Sequence, residues 1–196
     1  MQYVRDSFAP IKAFLGLSTL LTAADDNKIV ESENMAVGAL TIAAQPSVPS
    51  LLGLKVTAVG TADTPGIATI VATDIYDRTF TEVVTLVVGS TVYNTRYCKT
   101  VTSITLSGWV IDAGSGNDTI IVGVLASGAI EAKGQPVTFQ VVTGNVWIND
   151  KAVAVADATA FKLTAGQTID LVPRTNALSM ISDGSGATIQ VIVWDQ

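Results

Sequence analysis

Residues 54–73 read LKVTAVGTADTPGIATIVAT. Leu54, Val56 and Ala58 alternate with Lys55, Thr57 and Val59, the period of two expected of a strand with one face in a core. Ala62-Asp63-Thr64-Pro65-Gly66 supplies turn residues and Ile67 to Thr73 returns as a second β-branched run, so the segment predicts a hairpin.

The same pattern continues in both directions. Asp74-Ile75-Tyr76-Asp77-Arg78 forms a second turn, after which Phe80, Val84, Leu86 and Val88 share a parity against Thr81, Val83, Thr85 and Val87. Gly89-Ser90 interrupts, Val92–Tyr97 and Val101–Leu106 follow, and a loop over residues 113–118 closes into Thr119–Leu125. Short strands at this spacing predict a β-sandwich over residues 51–126. Two glycines and mixed charge between Ala126 and Gln135 mark a boundary. Beyond it, Val137, Phe139 and Val141 alternate with Thr138 and Gln140; Val146–Ile148, Ala160–Leu163, Thr168–Val172, Leu178–Ile181 and Ala187–Trp194 complete a second sandwich over 134–196. In the last strand both parities are apolar, which predicts cover on both faces. The expected class is all-β: two small Ig-like or jelly-roll-like sandwich modules behind an extended N-terminal arm.

That arm is residues 1–50. Tyr3, Phe8, Ile11, Phe14 and Leu15 crowd its start and are the candidate partner-contact residues. Ile11, Phe14, Leu15 and Leu21 partly match a helical face, and Gln45 to Ser50 (QPSVPS) reads as an extended linker. Ala13–Ala24 resembles the apolar part of an export signal, but Asp6 lies where a basic segment belongs and Pro10 interrupts the approach. No apolar run reaches the roughly 18–20 residues of a membrane span. The expectation is a protein without membrane association.

The 196 residues hold 11 basic and 17 acidic side chains, a net charge of −6, and the basic ones are scattered, which argues against a nucleic-acid partner. Only 14% of residues are charged while 48% are hydrophobic, so much surface is expected to be covered in an assembly. Histidine is absent and Cys98 is the single cysteine; this removes the commonest acid/base group, an internal disulfide and a cysteine metal pair. Cys98 reads as a buried strand residue suited to a reducing cytoplasm.

Carboxylate pairs are the remaining chemical option. Asp74 with Asp77, and Asp112 with Asp118, flank turns where side-chain and backbone oxygens could take calcium, yet neither pair has the spacing of a calcium loop, and Asp favours turns for its own hydrogen bonds. A carboxylate-based glycan hydrolase would need such a pair on opposing walls of a cleft. Gly114-Ser115-Gly116 and Gly184-Ser185-Gly186 lack a following lysine or helix and read as hairpin loops. Arg96 and Lys99 lie close to Tyr93 and Tyr97 and read as a solvated strand edge; Trp109, Trp147 and Trp194 stand singly, as core plugs or interface anchors. The expectation is no enzyme, no cofactor and no metal.

Thr79–Gly108 (TFTEVVTLVVGSTVYNTRYCKTVTSITLSG) resembles the small β-sandwich repeats of tailed-bacteriophage virion proteins, and Leu178–Asp195 (LSMISDGSGATIQVIVWD) is similar to the closing hairpin of small phage head proteins. The resemblance carries no catalytic residue. It implies a virion structural protein, a capsid cement or decoration protein on the major capsid protein, assembled in the host cytoplasm and self-associating, commonly as trimers. A neck, tail or fibre component, or a host-surface or glycan-binding module, is the alternative.

Overall fold

Val-, Ile- and Thr-rich segments favour the pleated, half-buried conformation, and the computed structural model is built almost wholly from such strands. It describes residues 12–21, 24–57, 64–110, 118–131, 136–150, 154, 156–172, 177–183 and 186–195; at 12–21, 130, 131, 177 and 193–195 the description is of backbone only. The chain runs β1 (Lys12–Leu21), β2 (Asp25–Asn34), a 3-10 turn (Met35–Val37), β3 (Leu52–Thr57), β4 (Ile67–Thr73), β5 (Thr79–Thr85), β6 (Thr91–Tyr93), β7 (Thr100–Ser107) and β8 (Thr119–Val124). Then follow β9 (Ser127–Glu131), β10 (Val137–Thr143), β11 (Asn145–Asn149), β12 (Phe161–Thr164), β13 (Thr168–Leu171), β14 (Ala177–Ser182) and β15 (Ala187–Asp195).

In the first sandwich a sheet of order β2-β8-β3-β6 faces one of order β5-β4-β7. Leu52, Leu54 and Val56 from β3, Ile120 and Val122 from β8, Ala68, Ile70 and Ala72 from β4 and Ile104 from β7 fill one core between them. The expected hairpin over 54–73 is therefore corrected: β3 pairs with β6 and β8, β4 with β5 and β7, and the two strands lie in different sheets. Alternation tells which side of a strand faces a core; it does not tell which strand is its neighbour. The turn at Asp74–Arg78 does join a hairpin, β4 to β5. In β7 the register steps from Val71–Ser103 to Ala72–Val101, so Thr102 is the extra residue of a bulge. That bulge puts Val101 inside together with Ile104 and Leu106, although Val101 has the opposite parity in the sequence.

The arm expected over 1–50 is also corrected for its second half. Ile29, Val30, Met35 and Leu40 belong to the first core. Asn34 caps the 3-10 turn by accepting the Ala36 N–H at 2.8 Å. Beyond it the chain lies along the free edge of β7: the Leu40 N–H donates to Ile104 O at 2.9 Å, the Leu106 N–H to Gly38 O at 2.6 Å, and the Gln45 amide holds both the N–H and the C=O of Val101. Residues 38–45 of the expected arm thus satisfy a sheet edge, Gly38 and Leu40 through their backbone and Gln45 through its side chain.

The second sandwich packs a sheet of order β1-β15-β10-β13 on one of order β12-β11-β14-β9. Its described core comes from residues 137–191, with Phe139, Val141, Val146, Met180 and Ile189 fully buried. Two residues, Leu125 and Ala126, separate β8 from β9, so residues 127–131 of the expected boundary stretch are a strand of this second unit. β1 pairs with β15, from Lys12 opposite Asp195 to Leu21 opposite Ala187; the helical reading of this segment gives way to a strand, since a nearly continuous apolar run fits either. Residues 12–21 and 127–195 therefore form one sandwich, and residues 25–125 are inserted in it as another. Gln190, on the second parity of β15, is exposed, so cover on both faces does not extend to it.

Candidate functional site

Of the expected contact residues, Tyr3, Phe8 and Ile11 lie outside the described residues. Phe14 is on β1 opposite Val193, and Leu15 falls where the β1–β15 register shifts, between Phe14 and Leu17. Asp112 and the centres of both Gly-Ser-Gly loops also lie outside the described residues; Asp118 is buried. What the fold does bring together is Asp74, Asp77, Arg96, Cys98, Lys99 and Tyr97, where the β4–β5 turn meets the β6–β7 connection.

The turn forms because Asp74 Oδ1 accepts the N–H groups of Tyr76 at 2.9 Å and Arg78 at 3.0 Å, while Asp77 adopts a left-handed φ of 61°. Asp74 Oδ2 takes Arg78 Nε at 3.0 Å and Nη2 at 2.8 Å, with Arg96 Nη2 farther out at 3.5 Å. Desolvation pulls the Asp74 carboxyl upward; the Arg78 side chain and the N–H groups of Arg78 and Tyr76 outweigh it and hold its pKa below the ordinary 3.8. Asp77 binds Lys99 Nζ with both oxygens at 2.8 Å. Arg96 lies over the Phe80 ring at 3.9 Å and Arg78 over Tyr76 at 4.7 Å. All four oxygens of Asp74 and Asp77 accept hydrogen bonds from the protein's own N–H groups and cations; among the described residues no group of three or more His, Cys, Asp or Glu side chains is placed to hold a metal ion.

Behind this corner, Asn94 is buried and ties the β6–β7 connection to β3. Its Oδ1 accepts the Leu52 N–H at 2.7 Å, and its Nδ2 donates to Arg96 O at 2.6 Å and Cys98 Sγ at 3.2 Å. Burial, only partly offset by that Asn94 hydrogen bond, pushes the Cys98 thiol up to about 12, so it stays protonated and inert at neutral pH. Glu82 accepts the N–H and hydroxyl of Thr95 at 2.6 and 2.9 Å.

The neighbouring residue ties the two sandwiches together. Tyr97 Oη and Ser179 Oγ on β14 are 2.6 Å apart, and Ser179 also accepts the Ala154 N–H at 2.6 Å. Burial raises the Tyr97 phenol to about 12 against the smaller opposing effect of Ser179. Nearby, Ser50 Oγ donates to Ser127 O at 3.1 Å, Ser127 Oγ accepts the Leu51 N–H at 3.2 Å, and the Ser182 N–H donates to Ala126 O at 2.7 Å. Sequence reading passed over Ser50, Asn94, Ser127 and Ser179, because a lone polar residue in a strand or loop gives no sign of being buried.

Trp109 packs on the first core, and Trp147, half-buried on β11, has Lys162 Nζ 4.9 Å from its ring. A shallow notch of about 40 Å³ near Tyr93 and Lys55 is floored by Gly53 and Gly123. Both glycines have packing causes: the Tyr93 ring comes within 3.1 Å of a Cβ at Gly53, and a Cβ at Gly123 would overlap the Asp25–Asp26 backbone. By contrast, the outward face of β5-β4-β7 is open and uncharged: Thr81, Val83 and Thr85 on β5 and Thr102 and Thr105 on β7 are exposed, Val83 by 57%. The polar groups of the site thus hold segments together, whereas this neutral face makes no such bonds through charged side chains. No family model, curated protein or solved structure matches the chain.

Proposed function

We propose that the chain is a non-enzymatic virion structural protein, a capsid cement or decoration protein that binds and stabilises the major capsid lattice. The observation that carries the reading is the neutral Thr/Val face of β5-β4-β7, a sheet surface on which four rows of outward positions hold only Thr, Ser, Val and Ile. Such a face makes contact by area and shape rather than by charge steering. At about 25 cal/mol per Å² of apolar area a small contact is weak alone, but repetition over a lattice adds many of them. The sequence resemblance to phage sandwich repeats covers β5, β6 and β7, two of which build this face. The engagement of Asp74, Asp77 and Cys98 in structural bonds supports a mechanical rather than a catalytic role.

The test is a cryo-EM reconstruction of particles purified from cells producing the chain, compared with particles carrying Val83→Asp. Density repeated across the icosahedral shell, and weakened by the substitution, supports the cement reading. Density confined to the portal axis or tail replaces it with a neck or tail role, and absence from particles overturns it.

A further inference from the structure

The first strand belongs to the sandwich at the other end of the chain. β1 is an edge strand held along one side by β15, whereas β2, three residues later, is paired with β8 in the inserted sandwich. Residues 22–24 are the whole connection, and four Cα steps of 3.8 Å let Leu21 and Asp25 lie at most about 15 Å apart. Pairing on both sides of this crossing is irregular. The β1–β15 register shifts between Phe14 and Leu17, and the β2–β8 register shifts twice, between Asp25 and Val30 and between Val30 and Glu33. Asp25 and Asp26 pass so close over β8 that position 123 admits only glycine. A short connection joined to a separable edge strand is the arrangement that favours exchange of that strand between copies.

We propose that β1 is an exchangeable strand, and that in the assembled protein residues 12–21 of one copy pair with β15 of another. Among the described side chains, eleven buried residues between Val137 and Val191 pack as one cluster, which the receiving unit would bring to the exchange. Without β1, β15 presents a row of unpaired backbone groups, an edge that accepts an extended segment by strand addition. From Ala13 to Leu21 the donated segment carries no charge that would oppose this. The same register pairs form within a chain and between chains, so exchange sacrifices no strand pairing; the local concentration of copies against the short reach of the connection decides between them. The short reach of residues 22–24 places the receiving sandwich beside the donor's β2. This is a property of copies of this chain alone and holds whether or not they sit on a virion.

Ser18 and Gln190 are register partners, and Gln190 is exposed. Chains carrying Ser18→Cys and differently tagged chains carrying Gln190→Cys are co-expressed, purified and oxidised, with Cys98 left in its buried site. The expected result is a covalent heterodimer, several-fold more abundant than when Ser18→Cys is paired with Thr168→Cys on β13, the far edge of the same sheet. Heterodimer at the level of that control, with a Ser18→Cys/Gln190→Cys double variant closing only within one chain, overturns the proposal. A double variant that closes neither within nor between chains removes the β1–β15 pairing and the proposal with it.

Discussion

Replacing Tyr97 by Phe removes one hydroxyl from the joint between the sandwiches and keeps the ring. At neutral pH the variant loses the bond to Ser179, worth about 1 kcal/mol, while Ser179 keeps the Ala154 N–H. In alkali the sign changes. The folded phenol titrates at about 12 against an ordinary 10.0, so the folded state holds its proton more tightly than the unfolded chain does. That stability is complete below pH 10.0 and is lost as pH rises towards 12. At about pH 11 linkage removes roughly 1.4 kcal/mol from the wild type and nothing from the variant, which has no phenol. The two stabilities should cross a little below pH 11, with the variant the more stable beyond that point. Cys98 titrates in the same range but is present in both proteins, so it cancels in the difference. Urea unfolding followed by tryptophan fluorescence from neutral pH into alkali measures that difference. A gap that stays constant with pH would mean that Tyr97 is solvated and that the joint does not depend on its hydroxyl.

Asp74→Asn should cost about 1–2 kcal/mol at neutral pH, a charge-assisted bond discounted for the exposure of Arg78. Because the Asp74 pKa is depressed, its contribution is present above the ordinary 3.8 and disappears as pH falls through the lower folded value; acid unfolding curves of wild type and variant should converge there. Asn94→Ala leaves the buried Leu52 N–H without its acceptor and should cost about 2 kcal/mol, read as a lower urea midpoint at unchanged slope.

Strand identity was legible where a core alternates with solvent. Phe80, Val84 and Leu86 are buried between exposed Thr81, Val83, Thr85 and Val87, and Val137, Phe139 and Val141 are buried as their spacing implies. Partnership between strands was not legible: nothing local to 54–73 distinguishes a hairpin from two strands facing each other across a core. Residues 35–50 escaped because much of their contribution is hydrogen bonding to the backbone of β7 and of other segments, to which composition is blind. The contact residues put forward at the N-terminus were chosen for hydrophobicity alone, and Phe14 lies on a strand of the second sandwich rather than on a free arm. The charged corner was visible as two separate pairs, Asp74 with Asp77 and Arg96 with Lys99; that they meet was not legible, because each acid lies 22 positions from its basic partner across the turn.

The insertion also sets an order of events. Among the described strands β1 is made first and its partner β15 last, so no other described pairing spans more of the chain. During synthesis the inserted sandwich can complete itself from residues 25–125 while β1 still lacks its partner. Until the two strands meet, the chain presents β1, uncharged from Ala13 to Leu21, and an open β15 edge. Where copies are made close together, that edge meets a neighbour's β1 as readily as its own. The topology that delays closure within one chain therefore promotes pairing between chains, and faster dilution after release should shift the product towards the closed single chain.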